Sequence, residues 1–171
     1  RYDGENWETL HRGDGIRVKA LAVASPSDIW FAEGKKSPTT VRHLVKTKEG
    51  WSVEQTYDTA EWSLDEKERV DIQTIHVDAE GTVWMGLVPY AEGGLIRLDP
   101  DGSSKRFERN PRCANYDIDS DSTGRLWMAT LCGVVVYDPS VEGEGAWVSS
   151  ANRSLPEWPA KAIEIAENGA V

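Results

Sequence analysis

A tryptophan phrase recurs along the chain and constrains the fold more than any other feature. Ser27-Asp28-Ile29-Trp30, Gly81-Thr82-Val83-Trp84 and Gly124-Arg125-Leu126-Trp127 share one order: small or turn residue, spacer, aliphatic, indole. The three indoles are separated by 54 and 43 residues, and a small residue follows each two positions on (Ala32, Gly86, Ala129). An indole buries a large area and needs an acceptor for its N–H, so one at fixed spacing marks a structural position used repeatedly.

The segments around the phrase repeat as well. An apolar stretch precedes it, at Val18 to Ala24, Val70 to Val77 and Tyr116 to Asp119. A third segment ends in an Asp-Pro turn, at Gly94 to Pro100 and Gly133 to Pro139, with Val41 to Lys46 as its looser counterpart. A fourth carries an aromatic after a Gly-containing turn: Trp7 after Gly4, Trp51 after Gly50, Phe107 after Gly102 and Trp147 after Gly145. Each unit therefore holds four short strands, the length class of a β-propeller blade. The apolar run Gly133 to Val136 reads as a doubly covered inner strand and Lys105 to Arg109 as a solvated outer one.

The expected fold class is all-β, with propeller blades of four antiparallel strands in about four repeats, as part of a larger propeller. The approximate bounds are 1–12 (end of a blade), 16–58, 70–109, 114–150 and 160–171 (start of a blade). The alternative is a small ring closed by pairing the two ends. An open array leaves sheet edges and a core face uncovered, so self-association through the unpaired ends is a further expectation.

Composition narrows the partners. Twenty-nine acidic against nineteen basic side chains give a net charge of −10. Such a domain repels phosphate backbones, which argues against nucleic-acid binding. With no apolar run of about 18 residues, no membrane insertion of this segment is expected. Cys113 and Cys132 fit no metal-ligand spacing. A disulfide and two separately buried thiols both remain open for them.

The phrases Asp78 to Gly86 with Gly93 to Pro100, and Asp121 to Thr130 with Gly133 to Pro139, resemble the two-component regulator propeller repeat. Tyr2 to Gly4 with Trp7, and Ser25 to Trp30, resemble a related bacterial propeller repeat. The resemblance covers most of the chain and departs from the pattern at Thr59 to Arg69 and after Trp30. It implies blades that often form extracytoplasmic sensor regions of histidine kinases. A periplasmic or extracellular location is therefore expected, with a cytoplasmic one as the alternative.

The function expected is a non-catalytic ligand-sensing or protein-interaction module. Its partner would be a small molecule, glycan or protein meeting the face that carries the loops between second and third strands and between blades. Loops carry function more often than frameworks do. Trp62, Tyr90 and Trp158 fall in these loops outside the repeat pattern and suit stacking or anchoring; the competing reading is that they plug or brace the core. Arg69, Arg112 and Arg153 lie beside them and suit a carboxylate or phosphate, or pairing with loop acids.

Asp117, Asp119 and Asp121 alternate before Gly124 but miss the EF-hand template, where Gly falls at Ser122 and the closing Glu at Met128. Local backbone bonding accounts for them more simply. His11, His43 and His76 lie in different units, and no catalytic dyad or triad is readable among them, nor the His motif of streptogramin-type lyases. No catalytic residue, metal or cofactor is therefore assigned. The alternatives are a propeller enzyme, a lyase or hydrolase acting on a small molecule or glycan, and a purely structural scaffold.

Overall fold

The computed structural model describes residues 1–2, 4–11, 16–35, 39–64, 68–88, 94–107, 113–149 and 159–166. Twelve strands form three antiparallel four-stranded sheets, each in simple sequential order. Blade 1 comprises β1 (Arg17–Ser25), β2 (Asp28–Gly34), β3 (Thr40–Thr47) and β4 (Gly50–Asp58). Blade 2 comprises β5 (Ile72–Val77), β6 (Val83–Leu87), β7 (Leu95–Leu98) and β8 (Ser104–Phe107). Blade 3 comprises β9 (Asn115–Ser120), β10 (Leu126–Thr130), β11 (Gly133–Tyr137) and β12 (Trp147–Ser149).

The second strand is the most buried or among the most buried in each sheet. The central β6 is buried along its whole length, whereas β4 is largely exposed. A strand covered on both faces needs an unbroken apolar run, and Val83-Trp84-Met85-Gly86-Leu87 supplies one. A first-strand bulge also recurs: the pairing shifts between Val18 and Ala20, between Ile72 and Thr74, and opposite Ala129 and Thr130 in blade 3. A bulge twists and bends its strand. The same kink in each blade keeps the first strands alike as β5 packs against β1 and β9 against β5.

Alternation sends one face of each sheet to each neighbour. Ala20, Trp30, Ala32 and Val41 of blade 1 pack on Ile75, Val83, Met85 and Ile96 of blade 2. Trp84 and Leu95 of blade 2 pack on Ile118, Leu126, Met128 and Tyr137 of blade 3. The fourth-segment aromatics join this second interface: Phe107 and Trp147 lie 5.7 Å apart, with Tyr137 4.5 Å from Trp147. On the outer face of β1, Leu21 and Val23 are 60% and 63% exposed. Their register equivalents Ile75 and Val77 meet blade 1 in the core between the blades.

Two further segments flank the three sheets. Tyr2 and Trp7 form an antiparallel bridge. Residues 159–166 run beside β9, where the Ile163 N–H donates to Asp117 Oδ2 (3.1 Å) and the Ile165 N–H to Asp119 Oδ2 (2.7 Å). These aspartates thus bond backbone N–H groups of a neighbouring segment.

Candidate functional site

The loop face is built on polar braces between blades. At the start of β5, Lys19 Nζ bridges both oxygens of Asp71 at 2.6 and 2.7 Å, tying the first strand of blade 1 to the entry of blade 2. The Thr59 hydroxyl donates to the Thr39 carbonyl at 2.7 Å, fixing the exit of β4 to the entry of β3. Cys113 and Cys132 form a disulfide with Cα atoms 5.9 Å apart. It joins the connection entering blade 3 to the β10–β11 turn.

The predicted loop aromatics divide. Trp62 ends a 3₁₀ turn (Thr59–Trp62), is 9% exposed, and stacks on Tyr57 at 6.0 Å. Its indole donates to Ser104 Oγ at 3.1 Å, and its carbonyl accepts from Arg106 at 2.6 Å. Trp62 therefore braces the junction of blades 1 and 2. Arg69 is exposed. Tyr90, Arg112, Arg153 and Trp158 lie outside the described residues. Sequence reasoning missed Arg106, whose guanidinium grips Glu68 with contacts of 2.7 and 2.5 Å, both side chains being buried. No local motif joins two residues so far apart in the chain.

The first-to-second-strand turns lie at the opposite end of the sheets. In blade 2, Asp78 Oδ1 accepts from the Glu80 and Thr82 N–H groups, while Oδ2 accepts the Trp84 indole at 2.7 Å. In blade 3, Asp121 does the same for Thr123, Arg125 and Trp127, the indole contact being 2.9 Å. Gly81 and Gly124 both take φ of 81°, which these turns require and side-chain-bearing residues rarely adopt. Burial raises the Asp121 pKa, but hydrogen bonds from Thr123, Trp127 and Arg125 outweigh it and hold the carboxyl well below the usual carboxylate range.

Blade 1 departs from this pattern. Ala24 occupies the register position of Asp78 and Asp121, and its hairpin closes tightly, with Ser25 paired to Asp28. Among the described residues no carboxylate caps Trp30. It stacks instead on His43, with ring centroids 4.0 Å apart and planes 10° from parallel. His43 Nε2 lies 2.9 Å from Asp28 Oδ1, and Nδ1 lies 3.4 Å from Glu54 Oε2. A cleft of about 340 Å³ opens here between blades 1 and 2, bordered by Ala24, Asp28, Trp30, His43, Glu54 and Asp99.

His76 faces the other interface. Its Nε2 lies 2.9 Å from Ser120 Oγ and its Nδ1 3.9 Å from Asp119 Oδ1. Burial lowers its pKa, opposed by the charges of Asp119, Asp78 and Asp117. Among the described residues no group of three or more His, Cys, Asp and Glu side chains is placed to hold a metal ion. No helix among them is long and apolar enough to cross a membrane.

No family model matches the chain, and no curated protein does. Solved structures do. A streptogramin B lyase superposes with a TM-score of 0.55 at 14% identity, covering 73% of this chain and 38% of that one. The extracellular domain assigned to a hybrid two component system of B. thetaiotaomicron gives 0.52 at 15% identity, covering 96% and 26%. A protein of unknown function from Bacteroides caccae gives 0.56 at 12% identity, covering 92% and 52%.

Proposed function

We infer that the three sheets are consecutive blades of a β-propeller; the chain spans between about a quarter and a half of the length of these structural relatives. We propose that it is a non-catalytic binding module, sensing a ligand or engaging a protein through its loop face, within an extracytoplasmic sensor of the two-component type. The observation that carries this reading is the Cys113–Cys132 disulfide. It fixes two loops of one face against each other, and such bonds persist in oxidising compartments. The extracellular placement of one structural relative points the same way. Arg69, Tyr90, Arg112, Arg153 and Trp158 are the side chains proposed to meet the partner, while Trp62 braces the junction of blades 1 and 2.

Calorimetric titration against a panel of soluble oligosaccharides and peptides tests the module. Saturable binding that is lost in Tyr90→Ala and Trp158→Ala at unchanged melting temperature is the expected outcome. A ligand whose affinity ignores both substitutions, or an empty panel, counts against it. A thiol count on protein taken from its native compartment tests the placement separately; two free thiols would contradict it.

A further inference from the structure

In blades 2 and 3 the face turned to the preceding blade receives an indole. Ile75, Val83, Met85 and Leu98 of blade 2 cluster with Trp30. Ile118, Leu126, Met128 and Tyr137 of blade 3 cluster with Trp84, whose ring lies 5.8 Å from that of Tyr137. By strand register the same positions in blade 1 are Leu21, Ile29, Phe31 and Leu44. The indole packed beside Ile29, Phe31 and Leu44 is Trp51, which comes from the fourth strand of blade 1 itself. Leu21 and Val23 are 60% and 63% exposed and line a cleft of about 400 Å³. Exposed apolar side chains grouped in this way mark an interaction surface.

A second observation says what the cleft accommodates. Leu10 packs on Ile29, Phe31 and Leu44, as Phe107 of β8 packs on blade 3 and Tyr57 of β4 on blade 2. With Tyr2 bridged to Trp7, that match puts Arg1 at the register position of Arg97. Arg97 is paired with Trp84 of the adjoining strand and lies over its ring at 5.7 Å. Arg1 lines the cleft. The Tyr2–Trp7 pair and Leu10 therefore hold the third- and fourth-strand places of a sheet lying against blade 1, and the cleft marks the place of its second strand. A cation already stands where the face of an indole would come, and the two attract.

We propose that this cleft on blade 1 takes an extended, tryptophan-bearing segment of a partner protein, added as a strand beside Arg1 and Tyr2 with its indole seated on Leu21 and Phe31. The two covered interfaces of this chain identify the occupant, because each meets the same positions with the same ring. The surface is the flank of blade 1 and takes nothing from the loop face, so it is independent of the function proposed there.

The probe is a peptide of the sequence Asp78 to Val88, the Trp-bearing second strand of blade 2 with its turn. Added to the intact chain, it should move the Leu21 and Val23 methyl resonances upfield and saturably in ¹H–¹³C NMR, through the ring current of its indole. The same peptide with Trp84→Ala should leave them in place. Leu21→Glu, at a side chain exposed in the free chain, should weaken peptide binding on the order of tenfold or more, the loss of one buried aliphatic contact. Arg1→Ala should weaken it about threefold, the loss of an exposed cation–π contact. Methyl resonances indifferent to the peptide overturn the site. So does equal binding of the Trp84→Ala peptide, or wild-type affinity in Leu21→Glu. Covering of the same methyls by concentrating the chain without peptide would assign the face to a second copy, and overturns the proposal as well.

Discussion

Trp84 donates its indole N–H to Asp78 Oδ2 at 2.7 Å, tying the second strand of blade 2 back onto the turn that precedes it. The same bond recurs between Trp127 and Asp121 in blade 3. One side-chain pair thus satisfies a buried donor, closes a turn on its own backbone, and sets the large apolar ring against the next sheet. The repeated phrase in the sequence records this arrangement.

Trp84→Ala should cost about 3–5 kcal/mol in urea unfolding, the range for a buried aromatic truncation. Trp84 is 2% exposed and packs between Phe107 and Tyr137. Trp127→Ala should cost less, because Trp127 is only half-buried on the far face of blade 3. Equal losses would contradict the ordering of the blades.

Arg106→Ala should cost about 3–5 kcal/mol, as removal of one partner from a buried ion pair does. The Glu68 carboxylate would be left without the guanidinium that grips it, and the Trp62 carbonyl would lose its donor. Chemical denaturation measures it; a loss under about 1 kcal/mol would show the pair to be solvated.

Gly86 tolerates no side chain. A Cβ there would sit 2.5 Å from Asn115 Cβ and 2.7 Å from Thr74 Cγ2. Gly86→Ala should destabilise by about 1–3 kcal/mol through overpacking between blades 2 and 3. Adding Thr74→Ser removes one of the two clashing atoms and should recover part of that loss. A neutral Gly86→Ala would mean the two blades do not approach as described.

His76 gives the interface a pH dependence of known sign. Its folded pKa lies below its unfolded value of about 6.5, so the unfolded chain takes up the proton more readily. Its contribution is complete above that value and is lost as pH falls toward the folded pKa. His76→Gln should flatten the stability profile just below about pH 6.5 while leaving the carboxylate-driven loss at lower pH. A variant with an unchanged profile would exclude His76 as the source.

The strands were legible where the repeat signal is local. Trp with a small residue two positions on located β2, β6 and β10, and the Asp-Pro turns located the ends of β7 and β11. Of the stretch Lys105 to Arg109, read as a solvated outer strand, Lys105 is exposed, Arg106 and Phe107 are partly buried, and 108–109 lie outside the described residues. Side chains acting across blades were less legible. Lys19 with Asp71 and Glu68 with Arg106 meet only after the sheets stack, so no spacing announces them. In the sequence Trp62 stands open between a loop anchor and a brace of the core, because Tyr57 and Ser104, which bury and bond it, belong to two different blades. The missing cap at Ala24 was present in the sequence, but has meaning only once Asp78 and Asp121 are seen holding indoles.

Hydrogen exchange at the indole N–H groups, followed by ¹H–¹⁵N NMR, tests the shared position most directly. Trp84 and Trp127 should both be protected, and Asp78→Ala and Asp121→Ala should each release only the indole of its own blade. Trp30 should exchange faster than either. Rapid exchange at Trp84 and Trp127 in the wild-type chain, or protection that survives loss of the aspartates, would contradict the arrangement on which the blades are aligned.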